Sequence, residues 1–334
     1  MAVLLFHCEK YVIGEPPLDK GYHLSLFCHG SMGVEFFFVV SGFLMAKSAY
    51  KKNQLDSVSF LKRKVAAIFP MHVLTFFLAF AAYVISNRMH PVEIIAKAVE
   101  SIPSFFLIQM TGINLCSPNH ITWYLSCMLI AMAVLYPLCR KYYQMFTCYI
   151  APLLGILLLG YCIAGTGRLT GVAQWTGICY KSLIRALSEI ALGAAGFEAS
   201  RRLQQKEFSQ GKRIGIAAAE LLLFLCTMVY AVGTFPSTWE VIELFAILLL
   251  VVLAFSQTGA GSRFFDNRLC YHLGKISLPL YLAQVTPIYL VTGFAGHWTK
   301  RQQIAGVIAG TFALAYIVFL TDHFRHLWKG RKYS

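Results

Sequence analysis

The sequence predicts an all-α integral membrane protein, about ten transmembrane helices in a single bundle with both termini cytoplasmic. Three observations predict it. Of 334 residues, 57% are hydrophobic and 13% charged, about half the charged share of a soluble domain (roughly 25%). A mean hydropathy of +0.62 leaves too few polar side chains to coat a water-soluble globule. Apolar runs of near-spanning length recur along the chain, and basic residues crowd alternate loops. A soluble enzyme is excluded.

A spanning helix needs about 20 apolar residues, sometimes as few as ~17. Runs of this kind cover 34–49, 66–86, 121–139, 146–164, 182–199, 214–233, 241–256, 276–294 and 303–321. Residues 1–13 are apolar but short and interrupted by Glu9 and Lys10. Without the basic n-region and cleavage site of a signal peptide, they read as the second half of a helix whose start lies upstream. The piece 87–120 contains IPSFFLIQM (102–110), too short to cross and suited to the outer interface or to re-entry. The whole chain, 1–334, reads as one membrane domain closed by a basic cytoplasmic tail, 322–334.

With the N-terminus inside, one set of loops holds Lys51, Lys52, Lys62, Arg63, Lys64, Arg140, Lys141, Arg201, Arg202, Lys206, Lys212, Arg213, Arg263, Arg268 and Lys275, and the tail adds Arg325, Lys329, Arg331 and Lys332. The opposite set holds only Lys10, Lys20, Arg88, Lys97, Arg168, Lys181, Lys300 and Arg301. This asymmetry accounts for the net charge of +14 through the positive-inside rule and removes the nucleic-acid reading. Among ten cysteines there is no CxxC and no zinc spacing. Cys127, Cys148, Cys162 and Cys226 fall inside apolar runs and read as small buried residues.

Charged groups inside hydrocarbon are costly, so each one asks for a partner or a purpose. His7 follows the run AVLLF; a buried neutral imidazole there suits a general base, or a histidine simply bonded within the bundle. Glu35 opens the second span, placed either to orient a histidine on the preceding helix or to sit at the helix N-terminus. Arg185 and Glu189 stand four apart on one helix face, an ion pair by default. Glu220 and Glu243 have no partner evident in sequence. Trp123 and Ser126 share a face, and interfacial anchoring explains the tryptophan. Arg63 and Lys64 fit the positive-inside bias, and equally a donor carrying phosphates at the cytoplasmic surface.

In order along the chain, these segments resemble the acyltransferase-3 family of multi-spanning membrane acyltransferases. The carrying motifs are AVLLFHC, then GSMGVEFFFVVSGFLM, similar to the family's G-x-x-G-V-[DE]-x-F-F-x-x-S-G-F, then FLKRKVAAIFP and ITWYLSCMLIAMAVLYP. SLIRALSEIALGAAGF and LGKISLPLYLAQVTPIYL resemble two later helices of the family. The resemblance implies transfer of an acyl group, commonly acetyl, from cytoplasmic acyl-CoA (acetyl-CoA) to a hydroxyl of a cell-surface or lipid-linked glycan. Acyl-CoA would be substrate, with no bound cofactor and no metal, in the plasma membrane. By the same implication His7 is the essential histidine, Glu35 the acidic position of helix two, and Arg63 and Lys64 contacts to CoA phosphates. Ser41, Trp123, Ser126, Arg185 and Gln284 are candidates to line the acceptor path. Three positions depart from the pattern. The family's upstream arginine falls before Met1, its second basic-motif arginine is Ala67, and its late-helix histidine is Gln284. The rival readings are a transporter or flippase of a glycan or small metabolite, and an inactive family member.

Overall fold

The structure, a computed structural model, describes residues 1–14, 27–51, 54–113, 117–236, 238–261 and 267–331, with backbone alone over 323–331. Of the basic residues assigned to loops and tail, Lys20, Lys52, Arg263 and Lys332 lie outside the described residues, as do the side chains of Arg325, Lys329 and Arg331.

Helix α1 (Ala2–Cys8) continues into a π-helical turn, Glu9–Ile13, and the 3-10 turn Gly30–Met32 leads into α2 (Gly33–Tyr50). The long α3 (Ser57–Ser86) is capped by Asp56, whose carboxylate accepts from the backbone N–H groups of Val58 and Ser59 at 3.0 Å. Hydrogen bonds from Ser59 and Val58 hold that carboxyl below its ordinary pKa. Two short helices, α4 (Pro91–Glu100) and α5 (Ile102–Phe105), precede α6 (Trp123–Lys141). The turn α7 (Tyr143–Met145) and a π-helical turn run into α8 (Ala151–Thr166). Then come α9 (Lys181–Gln204), α10 (Gln210–Val232), α11 (Trp239–Ser256), α12 (Arg268–Ala283), α13 (Val285–Phe294) and α14 (Lys300–Arg331).

Seven of these stretches are long and apolar enough to cross a membrane: Gly30–Tyr50, Ser57–Ser86, His120–Lys141, Tyr143–Thr166, Gln210–Val232, Trp239–Ser256 and Lys300–Asp322. The pair α12 and α13, bent by 44° at the break, makes an eighth as one broken span. This falls short of the expected ten, for two physical reasons. Residues 1–13 form a seven-residue helix and a π turn, too short for a crossing. Helix α9 is long enough but carries Lys181, Arg185, Glu189, Glu198, Arg201 and Arg202. It is the axle of the bundle, packed on by α2, α6, α8 and α11. A helix walled off from lipid can carry charges where neighbouring helices supply partners, as α2 supplies Glu35 to Arg185.

The closest packing is between α2 and α9. A Cβ built on Gly42 would lie 2.0 Å from the carbonyl oxygen of Ile190, and one on Gly193 would lie 2.1 Å from that of Val39. The two backbones touch because both contact residues lack side chains. Phe38, Met45, Leu125, Met132, Leu135 and Ile190 fill the core on either side. Rings of Phe60 and Tyr136 stack at 3.7 Å and 5°, joining α3 to α6. A second, smaller core of Leu4, Cys8, Val12, Ile288 and Val307 wedges α1 between α13 and α14.

Residues 102–110 turn back into the bundle. Gln109 and Met110 are buried, with Gln109 Nε2 donating to Thr122 Oγ1 at 3.2 Å and the Met110 N–H donating to Ser126 Oγ at 3.2 Å. Cys127 and Cys162 are buried as expected, but Cys148 is half-buried and Cys226 lies exposed on α10.

Candidate functional site

His7 ends the short α1. With Leu4 and Cys8 committed to the small core, its imidazole turns toward the break between α12 and α13. There His7 Nδ1 meets Gln284 Oε1 at 3.1 Å. The Gln284 amide is itself fixed, because its Nε2 donates to the carbonyl of Tyr281 at 2.9 Å. Its oxygen therefore faces the histidine and can only accept, so His7 Nδ1 carries the proton. The remaining lone pair sits on Nε2, the nitrogen free to act as a base.

A second histidine, which sequence reasoning passed over, faces the first. The His120 ring centroid lies 6.2 Å from that of His7, edge to face, and Tyr11 closes the group at 5.0 Å from His120 and 5.8 Å from His7. Tyr289 OH stands 3.5 Å from His120 Nδ1, while His120 Nε2 is buried with no hydrogen-bond partner among the described residues. Three bonds staple the entry of α6 in place. Asn119 Nδ2 donates to the Leu282 carbonyl at 3.0 Å, Tyr281 OH to the Ile121 carbonyl at 2.6 Å, and Thr122 Oγ1 to the Asn119 carbonyl at 2.8 Å. The broken span thus holds both histidines, one through Gln284 and the other through the bonds of α12 to residues 119–121.

The other predicted residues gather elsewhere. Glu35 is fully buried and forms an ion pair with Arg185 of α9. Arg185 Nε lies 3.6 Å from Glu189 Oε1, too far for a hydrogen bond, and its guanidinium sits 6.0 Å from the ring centre of Trp123. The expected Arg185–Glu189 pair is thus the looser of two contacts. The side chain bonded to His7 is Gln284, while Glu35 is bonded to Arg185. Ser41 Oγ bonds Tyr124 OH at 3.1 Å between α2 and α6, and Ser126 accepts from the re-entering segment.

Arg63 is exposed and Lys64 half-buried, its Nζ 5.7 Å over the Phe60 ring. The far end of the same helix reaches the histidine end, where Ser86 Oγ donates to the Tyr289 carbonyl at 2.8 Å. From Lys64 to Ser86 a helix advances roughly 33 Å, about the thickness of a bilayer core. Gln284 lies five positions before Tyr289, so the basic pair and His7 are separated by on the order of 25 Å along the bundle axis.

A bundle of apolar helices around a polar axle, with two facing imidazoles near one end, defines a multi-pass membrane protein with a buried site. The chain belongs to the acyltransferase-3 family, whose model, described as an acyltransferase domain, matches residues 1–320. No curated protein and no solved structure matches it.

Proposed function

We propose that the protein transfers an acyl group, acetyl above all, from cytoplasmic acyl-CoA to a hydroxyl of a cell-surface or lipid-linked glycan, as a multi-pass protein of the plasma membrane. The observation that carries this reading is the His7 imidazole, its tautomer fixed by Gln284 and its Nε2 left free, within an acyltransferase domain. Arg63 and Lys64 hold the CoA phosphates at the cytoplasmic end, and the thioester reaches inward to the histidines.

His7 Nε2 takes the proton of the acceptor hydroxyl as its oxygen attacks the thioester carbonyl. The carbon–oxygen bond forms and the carbonyl oxygen becomes an oxyanion. When Tyr289 OH donates to His120 Nδ1, His120 Nε2 carries a hydrogen and is the donor available to that oxyanion. The tetrahedral adduct collapses, the carbon–sulfur bond breaks, and imidazolium His7 returns its proton to the CoA thiolate. Sugar ester and free CoA leave, and His7 is again neutral. Gln284 orients the imidazole but cannot take its proton, so His7 acts alone as base.

The test is transfer of label from radiolabelled acetyl-CoA to cell-envelope glycan in membranes carrying the protein. His7→Ala is expected to lower transfer by roughly 10²–10⁴-fold, the contribution of a positioned base, while the protein still inserts. An inserted and fully active His7→Ala protein would remove His7 from the reaction. Absence of label with either form, despite insertion, would point to a transporter.

A further inference from the structure

The loop joining α8 to α9 is tied down by several buried side chains. The Glu240 carboxylate accepts from the Leu169 and Thr170 N–H groups at 2.5 and 2.8 Å and from Thr170 Oγ1 at 2.7 Å. Lys181 Nζ, fully buried, donates to Thr166 Oγ1 and to the carbonyls of Arg168 and Thr170. Ser182 Oγ donates to the Val172 carbonyl at 2.8 Å. This loop carries a small hairpin, closed by the Lys181 N–H on the Gln174 carbonyl at 2.8 Å and the Thr176 N–H on the Cys179 carbonyl at 3.0 Å. Gly177, at φ 92°, makes the turn in a conformation that suits glycine.

What this anchored hairpin presents is Trp175. The indole is 52% exposed, braced edge-on by Tyr180 at 5.2 Å, and set against Gly112, where an added Cβ would come within 3.2 Å of the ring. Gly112 follows the segment bonded to Thr122, two residues from His120, so hairpin and histidine site share one end of the bundle. Between hairpin and α8 lies a half-open groove of about 440 Å³, lined among others by Tyr161, Gly165, Thr166, Gln174, Trp175 and Thr176. That is within the range of small-ligand sites (roughly 300–1,000 Å³). Tyr161 OH donates to the Thr176 carbonyl at 2.7 Å and fixes one wall.

The setting identifies the occupant. Below the groove, Leu157 and Leu153 of α8, four and eight residues before Tyr161, are exposed on the face that carries it, a stripe that meets acyl chains in a membrane. The groove therefore offers an aromatic plate, an amide and hydroxyl oxygens that, with their own protons given to backbone carbonyls, can still accept, at the head of an apolar track. We propose that it holds the sugar headgroup of a membrane lipid, with one pyranose ring stacked on Trp175 and the tail lying along α8. The proposal takes its purpose, delivery of a lipid-borne acceptor, from the acyltransferase reading; binding itself does not depend on catalysis.

Native mass spectrometry of the full chain, loaded with equal amounts of glucosyl diacylglycerol and phosphatidylcholine, tests it. Wild type is expected to retain the glycolipid about ten-fold over phosphatidylcholine, the scale of one good aromatic contact. Trp175→Ala should bring that ratio to near one, and Trp175→Phe, which keeps a ring, should preserve most of it. The backbone bonds of the hairpin do not involve the indole, so both variants keep the hairpin. Parity in wild type, an unchanged ratio in Trp175→Ala, or equal loss of both lipids overturns the proposal; the last would make Trp175 a general interfacial anchor. Displacement of the glycolipid by a soluble glucose oligosaccharide would overturn the lipid-borne source. His7→Ala is expected to retain the glycolipid unchanged. A His7→Ala protein that still transfers acetyl would defeat the catalytic reading while leaving the groove intact.

Discussion

The crossing of α2 with α9 and the end of the bundle around His7 both bury polar groups, and they do so in opposite ways. At the crossing, Gly42 and Gly193 bring two backbones into contact, and Arg185 lies among Glu35, Glu189 and Trp123. No substrate fits between helices packed that closely, so charge there serves to fasten one helix to another. At the histidine end, rings stand 5.0–6.2 Å apart between centroids, and His120 Nε2 has no hydrogen-bond partner among the described residues. At the crossing the charges bind helix to helix, even though both Glu189 oxygens lack a hydrogen-bond partner among the described residues; at the histidine end the unpartnered atom belongs to a ring set among other rings.

That contrast can be broken most severely at the crossing. Gly193→Leu forces a side chain into the Val39 carbonyl, and a contact that short moves whole helices. The expected outcome is loss of folded protein, read as disappearance of the monodisperse peak in detergent size-exclusion chromatography. A normal peak would mean that α2 and α9 can separate without cost. His120→Ala works the other way: folding and detergent melting temperature should hold while acetyl transfer falls roughly 10²–10³-fold, the usual effect of removing one oxyanion donor. Equal loss of stability and transfer would make His120 a structural residue. The mildest change is Gln284→Leu, which frees the His7 ring without removing it. A loss of about ten-fold in kcat with unchanged KM for acetyl-CoA is expected, the lower range for an orienting partner. A shift confined to KM would move Gln284 from the histidine to the donor.

Much of the fold was legible because lipid-facing helices announce themselves by length and apolarity. The exceptions have physical causes. Helix α9 reads as a span in sequence, but its charges face other helices, which a run of apolar residues does not reveal. The Glu35–Arg185 pair joins positions 150 residues apart. Spacing rules see only the i,i+4 neighbour Glu189. Gln284 stood out as a departure from the family pattern, yet its place beside His7 depends on the bend between α12 and α13. His120 escaped notice because a lone histidine at a helix entry carries no periodic signal; its nearness to Trp123 was the one available clue.

The polar axle also bears on how the chain is made. Emerging alone from the ribosome into lipid, α9 would expose Arg185 and Glu189 at a cost of roughly 2.5–3.5 kcal/mol for each charge near mid-bilayer. But α2, α6 and α8, three of the four helices that enclose it, are all translated earlier. Glu35 is therefore already waiting in the membrane when Arg185 arrives, and the chain order lets the translocon hand a charged helix to its own counter-ion.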